Sequence, residues 1–323
     1  MSPMVRSTVV LRILVLFSFL PVPAMSQTVA NLQSTCNAAG GEQQHCAASA
    51  VAARKLMGYM SALAAPGFEI PSESSTLGRR LGGMPRFSAF VRGGGLSAEI
   101  PNLLGESGTN RSSFFVPNLQ FGLGLGLLDG VQLMPTVGGF LSLDIVGHTN
   151  LLLFPKEDGF SGRVSAWGIG ARIGILQESF TLPGVSVSVI RRGVGDLSLG
   201  GVSQEGFSQV TIGSSITSHR VTMGKDLFDL GFAAGIAWND MSSEPSLRVT
   251  NGQGAFVPVD GLLESTKATY FIGVSKQLGV LSWMSAEFGF VPNFGSVNLL
   301  PVPENLFLAE GIVFGSLVVL LKL

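Results

Sequence analysis

A strict period of two over nine residues is the feature that most limits what this chain can become. Leu119, Phe121, Leu123, Leu125 and Leu127 alternate with Gln120, Gly122, Gly124 and Gly126. Successive side chains on a strand point to opposite faces, so this segment has one wholly apolar face and one that is nearly bare backbone. The pattern recurs at Trp167, Ile169, Ala171, Ile173 and Ile175, and again at Phe228, Leu230, Phe232, Ala234, Ile236 and Trp238. Weaker versions occur near Leu143, Val187 and Ile272. The clear segments have about the 9–11 residues with which a tilted strand crosses a bilayer. Composition points the same way. Mean hydropathy is +0.44 and only 13% of residues are charged, yet past residue 26 no apolar run approaches the ~20 residues of a membrane helix. A membrane barrel produces this combination, because its apolar residues occupy alternate positions. A soluble β-protein should carry more charge on its wet faces.

Connection lengths predict the topology. Long polar stretches at 102–113, 147–162, 192–208, 239–265 and 292–308 alternate with shorter ones at 129–130, 177–184, 224–226 and 276–279. Bacterial membrane barrels have short periplasmic turns, long outer loops and an even strand number. The expectation is therefore an all-β, antiparallel transmembrane β-barrel over residues 85–323. It should have about ten strands, within a range of roughly eight to fourteen, and both termini on the periplasmic side. Trp167, Trp238 and Tyr270 fall where an interfacial aromatic belt would lie, whereas the phase of Met284, Ala286 and Phe288 turns Trp283 inward.

The start of the chain reads differently. Arg6 and Arg12 precede or interrupt an apolar run ending at Leu20, then Pro21 and Pro23 break it before Ala24-Met25-Ser26. This is the pattern of a cleaved secretory signal over residues 1–26. Without it, 18 basic residues face 21 acidic ones, which gives no reason to expect nucleic acid as a partner. Residues 27–66 carry an alanine-rich stripe with Val51, Leu56, Met60 and Leu63 at helical spacing, expected as a periplasmic helical segment. Packing as a small cap on one end of the barrel is the plainer reading; a plug or docking element is the functional one. Cys36 and Cys46 should form a disulfide in an oxidising compartment. His45 adjoins Cys46 without a further ligand set, so no metal is expected. Residues 67–84 read as a polar linker.

The last strand carries a family resemblance. Leu317, Val319, Leu321 and Leu323 alternate with Ser316, Val318, Leu320 and Lys322. This resembles the terminal strand of bacterial outer-membrane β-barrel proteins, which usually ends in Phe or Trp where this chain has Leu323. The resemblance covers residues 85–323 at the level of architecture. It implies outer-membrane lipid and the barrel insertion machinery as partners, and no cofactor.

Candidate chemistry is sparse. The histidines are His45, His148 and His219. Ser215 and Ser218 lie near His219, and Asp144 lies near His148, but neither set completes a nucleophile–base arrangement, so no catalytic residue is assigned and the protein is not expected to be an enzyme. The lumen is more informative: Gln120, Asp144, Arg172, Asn239 and Glu287 all fall on the inward phase. Arg172 and Glu287 are expected to pair across a narrow lumen, either as a plain internal salt bridge or as a polar gate. Inward glycines leave space for the N-terminal helix, for water or for an apolar ligand. Three readings of function stand: a narrow channel or transporter for small hydrophobic molecules, a structural or adhesive barrel acting through its loops, and a soluble secreted β-protein.

Overall fold

The computed structural model describes residues 29–79, 83–104, 111–132, 138–201, 207–292 and 311–323. The expected signal at 1–26 lies outside them, as does part of the expected linker. Twelve strands form one antiparallel sheet: β1 (Phe87–Pro101), β2 (Arg111–Leu128), β3 (Ser142–Leu153), β4 (Arg163–Leu176), β5 (Gly184–Gly200), β6 (Ser208–Leu227), β7 (Leu230–Ser243), β8 (Ser246–Thr250), β9 (Phe256–Asp260), β10 (Leu263–Gly279), β11 (Ser282–Val291) and β12 (Ile312–Lys322). Ten of them close into a barrel in which β12 pairs with β1 and β5 with β6, and β7 lies beside β10. The short β8–β9 hairpin pairs with the start of β6 and extends the wall at the loop mouth.

The tight turns fall later than the sequence suggested. Gly224, Lys225 and Asp226 stay in register with β7, so the chain reverses at Phe228 and Asp229, with Phe228 at φ 59°. Likewise β10 reverses at Val280 and Leu281. The connection expected to be tight at Asp129-Gly130 spans residues 129–141 instead, with Val131 and Phe140 bridged within it. At the other mouth the strands run further than expected. β6 is an unbroken strand of 20 residues, and the irregularity needed to match its neighbour falls in β5 between Val194 and Leu197.

Those long strands follow from an inversion of polarity along their length. Towards the turn mouth Ser88 and Arg92 of β1 face inward while Phe87 and Val91 face out. Towards the loop mouth Leu96, Ala98 and Ile100 face inward and Ser97 is outside. β6 does the same: Ser218, Arg220 and Thr222 face in beside outward Val221 and Met223, whereas Val210, Ile212 and Ile216 face in beside outward Thr211, Ser215 and Thr217. A strand of 20 residues tilted by roughly 40° rises about 50 Å, twice the ~25 Å of a lipid-facing band. One half is therefore built for lipid outside, and the other for water outside with an apolar core within. Trp167, Trp238 and Tyr270 are exposed at the level of the change. Trp283 is half-buried at the turn mouth with the Lys322 ammonium 4.1 Å from its ring centre. An outer surface exposing Phe121, Leu123, Ile169, Ile272, Phe288 and Leu317 together is lipid-facing rather than soluble.

The apolar core of the loop half surrounds a helix. α1 (Val29–Ala38) lies over the loop mouth against β9, and α2 (Gln43–Ala64) descends inside the barrel. The disulfide between Cys36 and Cys46 joins them, with Cα atoms 5.6 Å apart. A helix buried on all sides is apolar all round, and a narrow barrel further demands that it be slim. Ala47, Ala48, Ala50, Ala52, Ala53, Ala62 and Ala64 meet that demand and are all buried. Beyond Pro66 the chain continues along the lumen through a series of bends, with a turn in which the Glu73 amide donates to the Ile70 carbonyl, until Leu77 meets Asp144 and the Arg79 amide meets Asp129 at the turn mouth. The inward glycines of β2 are sites of close approach: a side-chain carbon at Gly122 would collide with the Phe90 ring, and one at Gly126 with the Gly78 backbone. The segment thus threads the barrel rather than capping one end. Val29 lies at the loop mouth, and Leu323, whose backbone pairs with Phe87, at the turn mouth. Replacing Leu123, at the centre of the outward apolar row, by arginine should cost about 2–4 kcal/mol in urea unfolding from lipid vesicles; a loss under 1 kcal/mol would mean this face does not meet lipid.

Candidate functional site in the barrel lumen

The helix end sets the chemistry of the lumen. The last turn of a helix leaves carbonyls without intrahelical partners and carries partial negative charge. Here those carbonyls are buried within the wall, and the wall supplies donors to them. Asn118 and Asn150 donate to the Leu63 and Ala64 carbonyls at 3.0 and 2.9 Å. Arg220 donates to the carbonyls of Ala65 (2.6 Å) and Gly67. Arg92 donates to those of Pro66 and Phe68 at 2.8 and 2.6 Å.

Each of these arginines is also paired with a carboxylate. Arg92 Nη2 lies 2.6 Å from Glu287 of β11, and its Nη1 donates to Gln120 at 2.8 Å. Arg220 Nε lies 3.0 Å from Glu69 of the threaded segment. Arg172 Nη2 lies 2.7 Å from Asp144, whose carboxylate also accepts the Leu77 amide, and Arg172 donates to the Glu73 carbonyl. Near the turn mouth Lys322 pairs with the Glu73 carboxylate. The expected pairing of Arg172 with Glu287 is therefore replaced by two pairs with different partners. Asp144 stands directly opposite Arg172 in the β3–β4 ladder, a nearer neighbour than any residue of β11.

Arg192 differs from the rest. It is 2% exposed and donates to His148 Nε2 at 3.2 Å and Ser218 Oγ at 2.6 Å. Ser218 in turn donates to Asn239, which donates to Thr269. No carboxylate lies within ion-pair distance of Arg192 among the described residues.

Gln120, Asp144, Arg172, Asn239 and Glu287 are all buried inside the wall. Arg92, Arg192, Arg220 and Glu69 join them, with Glu73 half-buried nearer the turn mouth, without having been singled out in the sequence. Arg92 and Arg220 share the inward parity of Phe90 and Thr222, so counting parity outward from those neighbours could have found them. Glu69 and Glu73 sit in an aperiodic segment and gave no such signal. Ser218 faces the lumen and His219 the outside, where it lies 3.7 Å from Asp240, so that pair is not brought together. Asp144 and His148 both face inward but are engaged by different arginines. Arg92, Gln120, Arg172, Arg192, Arg220 and Glu287 are each at most 2% exposed, so no water-filled passage runs past them.

No family model matches this chain, and no curated protein sequence does. Among solved structures it is similar to the translocator domain of the autotransporter NalP from Neisseria meningitidis, at 11% identity and a TM-score of 0.42, over 83% of this chain and 93% of that one. It is similar to the outer-membrane protease OmpT from Escherichia coli at 10% identity and a TM-score of 0.39, over 74% and 96% of the two chains. The toluene transporter TbuX from Ralstonia pickettii gives 11% identity and a TM-score of 0.35, over 82% and 80%. These are all membrane barrels, and at such distances they carry nothing about activity.

Truncating Arg92 to alanine leaves Glu287 buried and unpaired, and should cost about 3–5 kcal/mol. The double variant Arg92→Met/Glu287→Met should lose much less, because both charges go together. Equal losses in the single and double variants, measured by urea unfolding, would show that the pair itself does not matter.

Proposed function

We propose that this chain is an outer-membrane transporter of small hydrophobic molecules, closed at rest by its own N-terminal segment. The observation that carries the reading is the course of that segment. It occupies the lumen from one mouth to the other, and it is held largely by side-chain bonds to its backbone carbonyls, which water or a solute can replace. A ten-strand wall is too narrow for an open aqueous pore of the porin kind, but it is wide enough for a helix that can be displaced. The apolar lining of the loop half favours an apolar cargo. No catalytic role is assigned. The apolar band and the alternating strand β12 fit outer-membrane lipid and the barrel insertion machinery as partners. A structural or adhesive barrel acting through its loops is the competing reading, favoured by the ion pairs of Arg220 with Glu69 and of Lys322 with Glu73 that bolt the segment in place.

On this reading the mouth with the two-residue reversals at 228–229 and 280–281 faces the periplasm, since short turns favour that side. The loop mouth, with α1 and the Cys36–Cys46 disulfide, would then be extracellular, in place of the periplasmic position expected for residues 27–66. Cysteines introduced at Ser34 and at Gln253 should react with a membrane-impermeant reagent on intact cells. One at Asp229 should react only after the outer membrane is opened. The reverse pattern would invert this assignment.

Deleting residues 27–66 while keeping the leader should raise single-channel conductance in planar bilayers and uptake of hydrophobic solutes into vesicles. Extending the deletion to residue 77 also removes Glu69 and Glu73. Of the lumen charges described above, Arg92, Arg172, Arg192, Arg220 and Lys322 then face only Asp144 and Glu287. Reversal potentials should accordingly show a preference for anions. Folded deletion variants, recognised by their heat-modifiable gel mobility, that conduct no better than the intact chain would favour the structural reading.

A further inference from the structure

Arg191 of β5 points out of the wall rather than into the lumen. Its neighbours Ile190 and Arg192 are buried inside, whereas Arg191 is exposed on the same face as Val189. In the ladders it stands between Ile169 of β4 and Thr217 of β6. Ile169 is 55% exposed and Val189 46%, so the guanidinium is carried at the edge of the apolar band. Among the described residues it makes neither an ion pair nor a hydrogen bond. Register fixes its height. Trp167, Gly193, Ser215 and Ser242 share one row across β4 to β7, and Trp238 lies four residues turnward of Ser242 on β7. A belt drawn from Trp167 to Trp238 thus descends gradually from strand to strand, as tilted strands require. It crosses β5 at Arg191 and Arg192 and β6 at Thr217 and Ser218, of which Arg191 and Thr217 face outward.

Two further donors stand beside this arginine. The Trp167 indole leans over Gly193, where a side-chain carbon would come within 2.8 Å of Nε1. Gly193 is the next outward position on β5, directly loopward of Arg191, so the indole N–H and the guanidinium share one stretch of surface. The Thr217 hydroxyl borders the same stretch from β6. Neither Trp167 Nε1 nor the Thr217 hydroxyl makes a hydrogen bond among the described residues. The outward carboxylate in this row is Asp240, on the far side of Thr217. It stands two strands from Arg191, roughly 10 Å at the usual strand spacing. Asp240 is already engaged, accepting from the Thr266 hydroxyl at 2.6 Å and lying 3.7 Å from His219 Nε2.

We propose that Arg191, Trp167 and Thr217 form a binding site for the phosphate group of a membrane lipid, in the leaflet nearer the loop mouth. A cation on the lipid side of a barrel is unfavourable unless the interface supplies water or a counter-charge, and a phosphate at headgroup level supplies the charge. The guanidinium fork matches two phosphate oxygens, and the indole N–H and the hydroxyl donate to others. The acyl chains of the same molecule run turnward over Ile169 and Val189, which are apolar and exposed. A zwitterionic headgroup fits less well, because its cation is brought close to Arg191 at an interface of low dielectric. The site does not depend on the transport reading. It rests on the orientation proposed above only for the identity of the leaflet, which is then the outer one.

The test is native mass spectrometry of the full chain in detergent, titrated with dioleoyl phosphatidic acid and, separately, with dioleoylglycerol, the same lipid without its phosphate. Phosphatidic acid should bind at least tenfold more tightly. Arg191→Gln should weaken its binding at least tenfold while heat-modifiable mobility is kept. Trp167→Phe, which keeps a ring and removes the N–H, should weaken it about threefold, as the loss of one hydrogen bond implies. Arg163→Gln removes another exposed outward arginine, four residues loopward of Trp167 on β4, and should change binding less than twofold. Unchanged binding in folded Arg191→Gln or Trp167→Phe, or equal affinity for dioleoylglycerol, would overturn the site. Equal losses in Arg191→Gln and Arg163→Gln would do so too, by showing that positive charge anywhere on the wall suffices. Inorganic phosphate in large excess should leave the lipid bound; displacement would make this a site for the free ion instead. Binding in detergent is blind to which mouth is extracellular, so a reversed labelling pattern for Ser34, Gln253 and Asp229 would change the leaflet and leave the site standing.

Discussion

A helix that stops inside a membrane protein leaves carbonyls that water cannot reach, and this molecule is organised around answering them. Every unsatisfied group of that kind would cost several kcal/mol in a bilayer. The wall answers the carbonyls of residues 63–68 with Asn118, Asn150, Arg92 and Arg220. Placing arginines there brings charge into a dry lumen, so carboxylates must follow, from the wall at Glu287 and from the segment at Glu69. The Ser- and Asn-bearing inward faces complete the hydrogen bonding. The polar layer at mid-barrel is thus a consequence of where α2 ends.

The inverted polarity of the strands has the same root. Above the helix end the lumen holds an alanine-rich helix and needs apolar walls; below it the lumen holds an irregular backbone and needs donors and acceptors. The outer face answers to a different medium at each level, lipid below and water above. Inner and outer faces exchange character on the same strands, as β1 and β6 show, and the alternation with period two persists through the exchange.

That persistence explains what the sequence made legible. The barrel class and its outward rows at Leu119–Leu127 and Trp167–Ile175 could be read because parity is local. Strand ends could not: Gly195, Asp196 and Ser198 look like loop residues until one sees that Leu197 and Leu199 beside them are buried in the core around α2. Glycines 122, 124 and 126 were legible as an inward row, but the role of Gly124 and Gly126 as landing ground for Ile70 and Gly78 depends on a segment over forty residues away in the chain. The pairing of Arg172 failed for a related reason. Parity says which face a charge lies on, whereas its partner depends on register between strands, and register set Asp144 opposite it.

The Cys36–Cys46 link has a consequence for assembly. It ties α1 across the top of α2, making a knob at the loop mouth with the β8–β9 hairpin close by, while the other end of the segment is held at the turn mouth, where Arg79 bridges Pro85 just before β1. A chain held at both mouths cannot be slipped into a finished cylinder. The sheet has to be wrapped around it, and the last edges to meet are β1 and β12, the first and last barrel strands. Closure therefore waits for the C-terminal strand, and the helix is already inside when it happens, as a core around which the wall is rolled.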